Sequence, residues 1–137
     1  MNKPFSESAV DMFLEGFSCS QAVLAAFFET CDIDRETATK IADGFGGGMA
    51  RTGLTCGAVT GAVMVIGLRH GRKKALDTVR EFMQRFAHRN GSIACRDLIG
   101  CDISTEEGYA HALTENLFHT VCPNYVGDTA EILEELL

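Results

Sequence analysis

The 137-residue chain has the length of one domain, and its 46% hydrophobic content with only 2 prolines excludes a disordered or low-complexity protein. A net charge of −7, without basic runs or basic patches interleaved with aromatics, excludes nucleic acid and an anionic membrane as partners. The N-terminus, Met1 to Phe5, turns polar at Ser6-Glu7-Ser8 with no apolar h-region or cleavage site, so no secretory leader is expected. The longest nearly uncharged stretch, Gly57 to Leu68, is too short to span a bilayer and reads as a buried core helix. No membrane insertion is expected, and a cytoplasmic location follows.

Nearly every segment carries helical period, and no strand is predicted. A first helix, ending near Gly16, presents Val10, Phe13, Leu14 and Phe17 on one face. Ser18 opens a second helix, with Gln21 completing a capping box and Val23, Leu24, Phe27 and Phe28 as its stripe. A third runs from Asp34 to Asp43 and ends in Gly44-Phe45-Gly46-Gly47-Gly48. The fourth begins at Cys56. The fifth spans about Lys73 to Asn90, with Leu76, Val79, Phe82, Met83 and Phe86 inward and Gly91 as C-terminal cap. A short turn around Ser92 to Leu98 carries Cys95, and Gly100 ends it. Ser104 with Glu107 forms a second capping box, opening a sixth helix through His119. The last helix starts at Cys122-Pro123 and turns Val126, Ala130, Leu133 and Leu137 inward. The pattern predicts an all-α, compact single-domain bundle of six to seven helices, spanning residues 1–137.

The chemistry lies in six cysteines, at positions 19, 31, 56, 95, 101 and 122. No Cys-x-x-Cys occurs, so neither a zinc finger nor a thioredoxin-type dithiol is indicated. Three sit where helices should begin: Cys19 after Ser18, Cys56 after Thr55, Cys122 before Pro123. The unpaired amides and macrodipole of a helix N-terminus favour the thiolate, which attacks disulfides and binds metals. Lowered thiol pKa values are therefore expected at Cys19, Cys56 and Cys122. Cys95 and Cys101 are close enough in sequence to share a site, and His119 lies one turn from Cys122. Cys31 fits a buried apolar role best. The histidines at 70, 88, 111 and 119 lack paired spacing and read as surface or capping residues.

Glycines add a packing signal. Gly57 and Gly61 lie four apart on one helix face, with Ala58 and Ala62 beside them. Two helical glycines cost roughly 1 kcal/mol each against alanine, which close approach of another backbone would offset. That approach would bring Cys56 against a second cysteine or a cofactor. Gly46-Gly47-Gly48, with Met49 and Arg51, has the make-up of an anion-binding loop, but it lacks the Gly-Lys-Ser/Thr of a P-loop and follows no strand, so it reads as a helix-terminating turn, without a nucleotide.

The segments Gly16 to Val23, Phe45 to Met49, Cys56 to Gly61, Cys95 to Gly100 and Cys122-Pro123 together resemble the redox-active protein family named for the C_GCAxxG_C_C pattern. The resemblance covers nearly the whole chain, although the pattern's Gly-Cys-Ala stands here as Cys56-Gly57-Ala58. Its four pattern cysteines map onto Cys19, Cys56, Cys95 and Cys122; Cys31 falls outside it. The resemblance implies redox work in association with oxidoreductases, with no settled reaction. A similar domain in split-Soret cytochromes makes an iron–sulfur cluster a candidate cofactor. Covalent haem is not expected, because Cys-x-x-Cys-His is absent.

The resulting expectation is one shared site on Cys19, Cys56, Cys95 and Cys122, as redox thiols or iron–sulfur ligands, with Cys101 as resolving thiol. The alternative is a non-catalytic module in which the same cysteines hold structural zinc or fill the core. No acid–base pair can be assigned, so enzymatic activity stays open.

Overall fold

Apolar residues repeating every three to four positions give this chain helices that must bury their stripes against one another. In the computed structural model, which describes residues 3–137, eight helices of five or more residues do so. They are α1 (Phe5–Leu14), α2 (Cys19–Ala26), α3 (Arg35–Ile41), α4 (Gly57–His70), α5 (Arg72–Asn90), α6 (Cys95–Ile99), α7 (Glu106–Thr114) and α8 (Cys122–Leu136). No strand occurs among the described residues; Thr55 and Ala94 form one isolated antiparallel bridge. The architecture is all-α, with more helices than the six to seven expected. The excess is α6, expected only as a short turn, and the sixth predicted helix is also broken. That helix stops at Thr114, Asn116 turns left-handed, and a separate single turn occupies Leu117–Thr120. Met1 and Asn2, part of the leaderless N-terminal reading, lie outside the described residues.

Local signals placed most helix ends within a residue. Ser18 Oγ accepts from the Gln21 amide at 3.3 Å, while Gln21 Oε1 accepts from the Ser18 amide at 3.0 Å. Asp34 caps α3, and Gly91 closes α5 at φ 86°. The second expected box is displaced. Thr105 rather than Ser104 caps α7, its Oγ1 accepting from Gly108 N at 3.0 Å, while Ser104 donates to Asp102 instead. Two stripe residues are also corrected: Leu14 is 50% exposed and Leu76 59%. Both sit at helix edges that no neighbouring helix covers.

In the core, α1 lies between α2 and α8, α2 lies on α4, and α4 and α8 both meet α5. Val23, Leu24, Phe27, Val59, Val65, Ile66, Phe82, Phe86, Val126 and Leu133 fill the space between them. Gly61 makes the α2–α4 contact possible. A Cβ built there would fall 3.0 Å from both Ser20 O and Val23 Cβ. Exposed ion pairs clamp α5 to α8, with Arg85 on Glu135 at 3.1 Å and Arg89 on Glu131 at 3.0 Å. No described helix is long and apolar enough to cross a membrane.

Candidate functional site

Four helices begin with, or are capped by, a cysteine. Cys19 opens α2, Cys56 is the N-cap of α4, Cys95 opens α6 and Cys122 opens α8 with Pro123 behind it. Thr55, expected as the cap of α4, sits one residue before it. All four cysteines line one cavity of about 710 Å³. Their convergence depends on glycines. A Cβ on Gly57 would sit 3.1 Å from Cys19 Cβ, and one on Gly48 would sit 2.7 Å from Cys95 Cβ. The stretch before Cys56 also pairs with the stretch around Cys95. Cys56 N donates to Ile93 O at 2.8 Å, Arg96 N to Gly53 O at 3.1 Å, and the Arg96 guanidinium to Thr52 O at 2.9 Å. Tyr125 Oη donates to Leu98 O at 2.8 Å and ties α8 to α6.

The glycine-rich segment does more than end α3. Gly47, Gly48, Met49, Ala50 and Arg51 all have positive φ, from 53° to 71°, forming a left-handed turn. For Met, Ala and Arg that conformation costs roughly 1–2 kcal/mol each. Reciprocal bonds hold it, including Gly53 N to Gly47 O at 3.1 Å and Leu54 N to Gly48 O at 3.0 Å. Strain kept at such expense clusters at functional sites. Here it lays the turn along the cavity wall and stacks the Arg51 guanidinium 4.2 Å from the Tyr109 ring centre.

The thiols differ sharply in proton affinity. Cys19 and Cys122 are each other's largest influence: Cys19 is raised well above an ordinary thiol and Cys122 is lowered. Burial adds to the rise at Cys19 and opposes the fall at Cys122. Burial pushes Cys56 up to about 11, although the first-turn amides of Ala58 and Val59 draw it down. Burial, then the neighbouring Cys56, Cys122 and Cys101, pushes Cys95 up to about 12. The expectation of lowered values at Cys19, Cys56 and Cys122 therefore holds only for Cys122. At Cys19 the influence of Cys122 and desolvation, and at Cys56 desolvation, outweigh the helix terminus.

The remaining sulfurs lie outside the cavity lining. Cys101 is part-buried, its thiol 3.6 Å from Gly108 O, and packs beside Cys95 in a small apolar cluster. Cys31 is buried in the main core with its sulfur 4.0 Å from Val65 O, as expected. No disulfide links the described cysteines. No three His, Cys, Asp or Glu side chains among the described residues are grouped so as to hold a metal ion. As placed, the donors do not fit a zinc or iron centre.

Other cavity residues carried weaker sequence signals, Arg51 only as a neighbour of the glycine-rich loop. Gln21, legible as a capping residue, also donates through Nε2 to Asp43 Oδ1 at 3.0 Å and Thr39 O at 3.1 Å. Arg51, Tyr109 and His119 reach the cavity from a turn, from α7 and from the turn before α8. His119, expected as a surface residue, is exposed and also lines the cavity. Only its position one turn before Cys122 hinted at this.

The family model described as "Putative redox-active protein (C_GCAxxG_C_C)" matches residues 17–136. The chain belongs to this family. All four cysteines that line the cavity, and the left-handed Gly47–Arg51 turn, fall within the C_GCAxxG_C_C match. Neither a curated protein nor a solved structure matches the chain.

Proposed function

We propose that the protein carries out two-electron thiol–disulfide exchange on Cys19 and Cys122, with Cys56 and Cys95 walling the site as protonated thiols. The observation that carries this reading is that Cys19 and Cys122, at the starts of α2 and α8, line one cavity large enough for a small molecule and are shifted in opposite directions. One of the pair holds the proton, so the other is the better nucleophile at neutral pH. The Cys122 thiolate attacks one sulfur of a disulfide R–S–S–R. A Cys122–S–R bond forms, the S–S bond breaks, and the first RS⁻ leaves and takes a proton. Cys19 then gives up its proton and attacks Cys122 Sγ, forming the Cys19–Cys122 disulfide and releasing the second RS⁻, which is protonated in turn. The protein dithiol loses two electrons, and the substrate disulfide gains them as two thiols.

Cys101, beside Cys95 and outside the cavity, suits the role of a second-stage resolving thiol. We place the protein in the cytoplasm, where thiols are kept reduced and a cycle of this kind can be reset by an oxidoreductase. The whole chain acts as one domain in this reading, with cysteines from both halves needed at once.

Anaerobically purified, reduced protein should be treated with limiting small disulfide, trapped in acid and mapped by mass spectrometry. A Cys19–Cys122 cross-link as the first product is expected. Another first pairing, or stoichiometric iron, zinc or labile sulfide in the purified protein, would replace this reading with a different sulfur chemistry.

A further inference from the structure

Arg51 is the feature of the cavity that thiol exchange by itself leaves unused. Its backbone stands at φ 62° within the strained turn, and its side chain crosses Gly47, where an added Cβ would lie 3.1 Å from Arg51 Cγ. Its guanidinium stacks on Tyr109 at 4.2 Å. Yet among the described residues no carboxylate pairs with it, in a chain whose net charge is −7. Arg80, Arg85 and Arg89 each have an acidic partner, Arg35, Arg69, Arg72 and Arg96 have none among the described residues, and Arg51 is the unpaired arginine that lines the cavity. Asp43, the acidic residue in the cavity lining, is engaged by Gln21 Nε2. The same cavity is also lined by the apolar side chains of Ile99, Ile103 and Phe118. A planar cation fixed on an aromatic ring, an apolar wall and a reactive sulfur form a three-point surface. Guanidinium groups recognise carboxylates by paired hydrogen bonds.

We propose that the cavity binds a small organic disulfide bearing a carboxylate, whose anionic group seats on Arg51 while its S–S bond is presented to Cys122. This rests on the exchange reading above and names its substrate class. Chemical balance is unchanged: the bound disulfide is the oxidant, leaves as two thiols, and the Cys19–Cys122 pair is oxidised.

The test compares two chromogenic disulfides, dianionic dithiobis(nitrobenzoate) and neutral dithiodipyridine, on reduced protein. Each rate is divided by the rate of the same probe with a free small thiol at the same pH and salt. Wild type should favour the anionic probe, and Arg51→Asn should lower that preference on the order of tenfold while leaving the neutral probe's rate unchanged. Asn tolerates the left-handed backbone at this position. Arg51→Lys should recover part of the preference. Arg35→Gln, which removes a cation stacked 5.5 Å over Phe17, should leave it intact. Equal slowing of both probes by Arg51→Asn, or equal loss of preference in Arg35→Gln, would overturn the Arg51 site while the Cys19–Cys122 cross-link still formed. Absence of that cross-link with either probe would overturn the exchange reading and the substrate proposal together.

Discussion

Cys19 and Cys122 begin α2 and α8 on the same cavity, and their influence on each other raises the proton affinity of Cys19 and lowers that of Cys122. Such a pair titrates as a unit. The helix-start position is common to both, so it cannot be what distinguishes them.

Alkylation should therefore resolve the cysteines by pH. In reduced protein, iodoacetamide at neutral pH should modify Cys122 ahead of Cys19, Cys56, Cys95 and Cys31, all of whose pKa values are raised. Peptide mapping after short exposures reads the order. Cys56 labelled before Cys122 would show that the first-turn amides of α4 outweigh burial.

Stability should fall in alkaline solution for the same reason. Cys56 ionises near 11 in the folded chain against an ordinary 9.0, so the folded state holds its proton more tightly. Its contribution is intact below about 9 and is lost as pH rises through 11, at most about 2–3 kcal/mol. Cys95 extends the loss toward 12. Urea unfolding at pH 8 and pH 10.5 should show a smaller drop for Cys56→Ala than for wild type.

At Gly61, Ser20 O and Val23 Cβ leave no room for a side chain. Gly61→Leu should destabilise the protein by roughly 1–3 kcal/mol or more through overpacking, read as a lower denaturant midpoint. An unchanged midpoint would mean that α2 can move away at little cost.

Gly48 and Gly67 should respond in opposite senses to alanine. Gly48 has φ 67°, and an added Cβ would lie 2.7 Å from both Cys95 Cβ and Leu54 N. Gly67 lies inside α4 with open space beside it. Gly67→Ala should stabilise by about 0.5–1 kcal/mol. Gly48→Ala should lower the melting temperature and slow disulfide formation, because it displaces the wall that carries Cys95.

Single cysteine variants should separate roles. Cys122→Ser should abolish reaction with a small disulfide at neutral pH. Cys19→Ser should stop at a mixed disulfide on Cys122, visible as a fixed mass increase. Cys31→Ala, altering only the core sulfur near Val65, should leave the Cys19–Cys122 cross-link intact.

The all-α architecture was legible because helical period and capping are short-range: Ser18 with Gln21, Asp34 and Gly91 act within a turn of themselves. The close contact at Gly61 was legible too, since two glycines within one helix need a neighbour to offset their cost. The family pattern singled out the four cysteines that line the cavity. Their proton affinities were not readable, because the helix-end effect is local whereas desolvation and the mutual influence of Cys19 and Cys122 depend on where distant helices come to rest. Arg51 was legible only as a member of a candidate anion-binding loop with Gly46-Gly47-Gly48, a stretch that reads from sequence as a helix-terminating turn. Its position follows from five consecutive left-handed residues held by Gly46–Leu54 backbone bonds and from Tyr109, far along the chain. Long-range packing assembled that corner of the cavity, and local spacing does not record where the guanidinium comes to rest.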